Sequence, residues 1–126
     1  MFVATDAQIG VVGFYSLSSI SIASETLPKE MTRKLPRYDA IPAALIGRLA
    51  RDQRVRGQRI GELLLADAIR RILGAGESIA VYAIVVDAKD ERAADFYRTA
   101  GFQAFPLHPM RLFLPTSTAV AAFGRL

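Results

Sequence analysis

Arg56-Gly57-Gln58-Arg59-Ile60-Gly61 stands between a short apolar run, Ala43 to Ala50, and a stretch whose apolar residues recur at helical spacing. The run suits a buried strand, and residues 52 to 61 make a turn rich in glycine and arginine. On a helical wheel, Gly61, Leu64, Leu65, Ala68, Ile69 and Ile72 share one arc, with Glu62, Asp67, Arg70 and Arg71 mostly opposite. This predicts an amphipathic helix over Ile60 to Leu73 that lies on a sheet and is ended by Gly74 and Gly76. A strand, turn and helix in this order aim backbone N–H groups and the positive end of the helix dipole outward, here beside arginine. That is an anion site, and a pyrophosphate would fit it. Taken alone, turns of this kind are also common as plain structural connections.

Working outward, Phe2 to Thr5 and Ile9 to Ile22 are rich in β-branched, aromatic and serine residues and are broken by Asp6, which predicts a hairpin. The alternation changes phase at Ser18-Ser19, where a bulge is expected. Three prolines between Glu25 and Pro42 predict a loop with one helical turn around Glu30 to Lys34. Downstream, Ile79 to Val86 is almost continuously apolar, as in a central strand covered on both faces and of parallel character. Asp87 to Asp90 makes the next turn. A second helix is expected from Asp90 to Ala100, with Ala93, Phe96, Tyr97 and Ala100 on one face and Gly101 as its left-handed stop. Phe102 to Phe105 and Met110 to Leu114 read as short strands around a turn at Pro106 to Pro109, and residues 116–126 as a loosely ordered tail. The class is α/β, one domain over residues 1–126, in the order β-β-loop-β-α-β-α-β-β.

Lys and Arg number 16 against 12 Asp and Glu, a net charge of +4 that favours an anionic partner. Arg33, Lys34, Arg37, Arg48, Arg51, Arg54, Arg56 and Arg59 all fall within one stretch, so phosphate is the natural guest. The longest apolar run is too short to span a bilayer, and no secretory leader pattern opens the chain, so a cytoplasmic protein with no membrane partner is expected. With no cysteine and a single histidine, His108, the usual zinc sets are excluded and no metal is expected.

The pattern Arg56-x-x-Arg59-x-Gly61, then a helix, an apolar strand and Phe96-Tyr97-x-x-x-Gly101-Phe102, resembles the GNAT N-acetyltransferase superfamily. That family's loop runs Gln or Arg, two residues, Gly, one residue, Gly or Ala; Arg59 stands at the middle glycine. More narrowly, Leu35-Pro36-Arg37-Tyr38 through Ile41-Pro42 to Gly47-Arg48-Leu49-Ala50, with Glu62-Leu63-Leu64-Leu65-Ala66-Asp67-Ala68, is similar to the GNAT toxins of bacterial toxin–antitoxin pairs. The resemblance runs over nearly the whole chain from Phe2. It implies the GNAT fold, a mixed central sheet flanked by helices, here lacking the family's usual first strand and leading helices. It also implies acetyl-CoA as acetyl donor, aminoacyl-tRNA as acceptor, a block on translation, and a ribbon-helix-helix antitoxin as partner. The open edge of such a shortened sheet points to a homodimer.

The resemblance also assigns roles. Tyr97 matches the tyrosine near the thioester sulfur that protonates the departing CoA thiolate; by periodicity alone it would be a core aromatic beside Phe96. A phenol of pKa about 10 keeps its proton at working pH. Leu49, Ala50 and Arg51 would offer backbone groups to the pantetheine arm, and Arg56, Gly57, Gln58, Arg59, Ile60 and Gly61 would hold the pyrophosphate. Arg33, Lys34, Arg37 and Arg48 are assigned to RNA, and Asp87 is a minor candidate for a base acting through water. Two other readings stay open at this point: a GNAT enzyme acting on a small amine or a protein N-terminus, and a non-catalytic GNAT-like remnant that binds CoA or a partner.

Overall fold

The helix expected after the arginine-rich turn forms as α2 (Ile60–Gly76), and the side chains of its apolar arc, Leu64, Leu65, Ala68, Ile69 and Ile72, are all buried. The computed structural model describes residues 1–8, 10–33, 40–52, 59–76 and 81–123. Strands β1 (Phe2–Asp6), β2 (Gly10–Ala23), β3 (Ala40–Arg51), β4 (Ala83–Asp87), β5 (Gln103–Phe105) and β6 (His108–Pro115) make one sheet in the order β1-β2-β3-β4-β6-β5. Neighbours are antiparallel except β3 and β4, which the crossover through α2 makes parallel.

Strand alternation sends Tyr15, Ile46, Ile84, Val86, Leu112 and Leu114 to one face, where α2, α3 (Glu91–Thr99) and α4 (Thr116–Phe123) cover them. Ile22, Ile41, Ala43, Ala83, Val85 and Phe113 go to the other face. That face is covered by Leu27 and Met31, from a segment holding a 3-10 turn (Ser24–Thr26) and the short α1 (Lys29–Thr32). Ala83 to Val86 are therefore 0% exposed, as a central strand should be.

Five expectations are corrected by tertiary packing. The irregularity between β2 and β3 falls between Ser16 and Leu17, and its extra residue is Gly47 on β3, not Ser18-Ser19 on β2. Strand β3 is longer than the apolar run, and only its first half is buried; Gly47, Arg48, Ala50 and Arg51 are exposed. Strand β4 begins at Ala83, with Val81 and Tyr82 outside it and residues 79–80 outside the described residues. Helix α2 continues through Gly74 to Gly76. Finally, residues 116–123 of the expected loose tail form α4, which packs on α2 and buries Ala119 completely, while residues 124–126 lie outside the described residues.

Gly74 is thus an interior helical glycine with nothing within 4 Å of where a Cβ would stand. Gly74→Ala is expected to stabilise the fold by about 0.5–1 kcal/mol, since alanine loses less backbone freedom on entering a helix. Urea denaturation of the two proteins would measure it.

Candidate active site

The parallel pairing of β3 with β4 runs from Ala43↔Ala83 to Ile46↔Val86 and stops there. The next residue of β3 is Gly47, the bulge, after which β3 goes on to pair with β2 alone. A bulge bends its strand and increases its twist, so beyond Gly47 the two parallel strands part into a wedge. At the point of parting the chain is close-packed: a Cβ added to Gly47 would lie 2.9 Å from Ser16 Oγ, so a larger residue there would have to turn the Ser16 side chain aside. Among the described residues, Leu49, Ala50 and Arg51 have no partner on the β4 side, so their backbone edge borders the wedge.

Alternation along this segment separates its side chains. Leu49 packs into the cluster under α2, and Arg51 shares its parity, whereas Arg48 and Ala50 belong to the opposite face. Arg48, assigned to RNA, and Arg51, assigned to the cofactor, thus leave the sheet on different sides.

Helix α2 starts at the same end of the sheet. The Arg59 carbonyl accepts the first intrahelical bond, from Leu63 N–H at 3.1 Å, so the amides of Ile60, Gly61 and Glu62 precede the ladder and carry the positive end of the dipole. Arg59 has φ 58°, in the left-handed region, which costs a non-glycine residue roughly 1–2 kcal/mol. The backbone at this position therefore has the conformation a glycine would take freely, while the residue adds a guanidinium that is well exposed. A Cβ on Gly61 would stand 3.6 Å from Phe96 Cζ, so α3 lies directly against this first turn.

Phe96 brings Tyr97 with it. Helix α3 is set by Asp90, whose side chain accepts from Ala93 N–H at 2.8 Å, and it ends where Gly101, at φ 107°, donates to the Arg98 carbonyl at 2.9 Å. Tyr97 is 7% exposed and meets Phe96 and Phe102 edge to face at 5.3 and 5.6 Å. Burial pushes its phenol pKa above the ordinary value, which secures the proton it would donate. Leu49, Ile60, Phe96 and Tyr97 all belong to one packed cluster.

Of the other site residues, Arg33 is exposed at the end of α1. Lys34, Arg37, Arg56, Gly57 and Gln58 lie outside the described residues. Asp87 is committed elsewhere: its carboxylate accepts from Arg111 at two points, Nε at 2.8 Å and the terminal nitrogen at 3.1 Å. Both of its oxygens are thereby occupied by the Arg111 guanidinium.

A second network was invisible in the sequence. The Tyr15 hydroxyl donates to Asp67, which also accepts from Arg71 Nε at 3.0 Å, and the Arg71 guanidinium sits 4.3 Å from the centroid of Phe2, itself stacked on Tyr15. Burial first, then the Asp67 carboxylate, pushes the Tyr15 pKa up to about 12. The hydrogen bond from Tyr15 in turn draws Asp67 below the usual carboxylate range. The network ties β1 and β2 to α2 and so steadies the helix whose first turn faces the wedge. Its only local sign was the Asp67 and Arg71 spacing of four on α2.

Comparison with known proteins agrees with this geometry. Residues 3–102 match the Acetyltransferase (GNAT) family. Over 121 residues the chain is 37% identical to a probable toxin TacT of Sinorhizobium fredii, covering 90% of this chain and 67% of that protein. It is 40% identical over 114 residues to a tRNA-acetylating toxin of Mycobacterium tuberculosis, covering 90% and 68%. Among solved structures, AtaT complexed with acetyl-methionyl-tRNA superposes with a TM-score of 0.84 at 30% identity, over 94% of this chain and 70% of AtaT. A mutant AtaT toxin bound to acetyl-CoA and to the C-terminus of the antitoxin AtaR gives 0.74 at 26% identity, over 91% and 65%. Among the described residues no helix is long and apolar enough to cross a membrane. With its family match over most of its length and a parallel strand pair that parts before the first turn of α2, this chain belongs to the GNAT acetyltransferase family.

Proposed function

We propose that the chain transfers the acetyl group of acetyl-CoA to the α-amino group of aminoacyl-tRNA, as a cytoplasmic toxin that blocks translation and is restrained by a ribbon-helix-helix antitoxin. The observation that carries this reading is 40% identity to a tRNA-acetylating toxin over 90% of the chain, together with likeness to a toxin complexed with acetyl-methionyl-tRNA. The pyrophosphate would rest on the first turn of α2 with Arg59, and the pantetheine arm would enter the wedge along Leu49 to Arg51. Holding both substrates there makes attack effectively unimolecular. The amine nitrogen bonds to the acetyl carbon, the carbon–sulfur bond breaks, the thiolate takes the Tyr97 proton, and the amine's surplus proton leaves to water. An α-amino group beside an ester carbonyl is a weaker base than a lysine side chain, so it reaches the site deprotonated without a strong protein base.

The test is twofold. Acetylation of charged tRNA by the purified protein is expected, with affinity that falls as salt rises. If Arg33, Lys34, Arg37 and Arg48 neutralise four phosphates at the single-strand slope, raising salt from 50 to 200 mM should weaken binding about fifty-fold. Absent or salt-independent tRNA binding would move the reading to a small amine.

A further inference from the structure

The end of the sheet that holds the wedge also holds the β5–β6 hairpin, because β6 runs antiparallel to β4 and pairs Arg111 with Asp87, the last residue of β4. Just beyond, Ala88 N–H donates to the Met110 carbonyl at 2.8 Å. A cavity of about 470 Å³ opens there, lined by the apolar Ala88, Leu107, Pro109 and Met110 and by the Asp87–Arg111 pair, with His108 completing the lining.

Position and chemistry together say what it takes. Ala88 and Met110 pack against the same hydrophobic cluster to which Phe96 and Tyr97 belong, at the sheet end where the wedge opens. Asp87 and Arg111 have the parity of Val85 and Phe113 and so project to the opposite face of the sheet. The cavity thus straddles the sheet end, within reach of an acceptor that approaches from the side opposite α2. Leu107 is 85% exposed at its rim, a large apolar side chain with nothing over it. Both Asp87 oxygens are taken by Arg111, so neither charge is left uncompensated. Such a lining favours a neutral, apolar guest and would leave a charged one desolvated without a counter-ion.

We infer that this cavity receives the side chain of the acceptor's amino acid, with Leu107 and Met110 as the residues that select aminoacyl-tRNAs carrying a neutral, apolar group. The inference rests on the aminoacyl-tRNA reading above. Its test compares kcat/KM for tRNAs charged with methionine, isoleucine, glycine and aspartate, in the unaltered protein and in Leu107→Ser and Met110→Ala. The unaltered protein is expected to prefer methionine and isoleucine. Each variant should lower the methionine-to-glycine ratio about tenfold, the scale on which lost apolar contact discriminates substrates. Leu107 stands in an exposed turn, so Leu107→Ser should fold normally, and a melting midpoint taken on the same sample checks this. A ratio unchanged by both variants, a uniform loss across all four tRNAs, or a preference for aspartate would overturn the cavity's role while leaving the tRNA reading intact. A protein that binds acetyl-CoA yet acetylates none of the four would overturn both.

Discussion

Tyr97→Phe is expected to lower acetyl transfer by roughly 10²–10⁴-fold, the usual contribution of a positioned proton donor, while acetyl-CoA affinity stays close to that of the parent. The substitution keeps the ring, and with it the edge-to-face contacts to Phe96 and Phe102 at 5.3 and 5.6 Å. Only the hydroxyl is removed. Because burial raises the Tyr97 pKa, the parent enzyme should hold this proton throughout neutral and mildly alkaline pH, so its loss cannot be restored by adjusting pH. Single-turnover acetylation and a denaturation midpoint on the same preparation decide the matter. Turnover near that of the parent in a folded variant would remove Tyr97 from the mechanism and leave it a core aromatic.

Gly13→Val should produce the largest loss of stability, roughly 2–3 kcal/mol, with weakened acetyl-CoA binding in whatever protein stays folded. Gly13 lies in β2 directly under α2: an added Cβ would stand 2.6 Å from Leu64 Cδ1, 3.0 Å from the Ala50 carbonyl oxygen and 3.4 Å from Ile60 Cγ2. The first and last of these belong to the opening turns of α2, and the second is backbone bordering the wedge. The Leu64 tip can turn aside but the Ala50 carbonyl is backbone, so a valine's branched side chain crowds the space between β2 and the first turn of α2 and shifts the amides proposed to hold the pyrophosphate. Thermal unfolding and calorimetric titration with acetyl-CoA would measure the two effects. Stability and affinity both matching the parent would show that α2 is not held by this contact.

The parts of the site that were legible in the sequence are those written in local spacing. The apolar arc from Leu64 to Ile72, the continuous run that contains β4, and the Asp90 start and Gly101 stop of α3 each depend on residues within a few positions of one another, so periodicity and capping chemistry reveal them. Arg59 was visible as a departure from a glycine. Its left-handed backbone, which explains why glycine suits the position, was not.

Side-chain spacing and backbone preference along a few consecutive residues already set the order and type of the main elements and the helix that carries Tyr97. Tertiary structure alone decided the register and everything that hangs on it. The bulge sits at Gly47 because β3 must satisfy β2 on one side and leave β4 on the other. Asp87 meets Arg111 across 24 residues and Tyr15 meets Asp67 across 52, separations over which spacing carries no signal. Gly74 and residues 116–123 are helical against their local preference for the same reason: burial of Ala119 against the core and packing of α4 on α2 outweigh it.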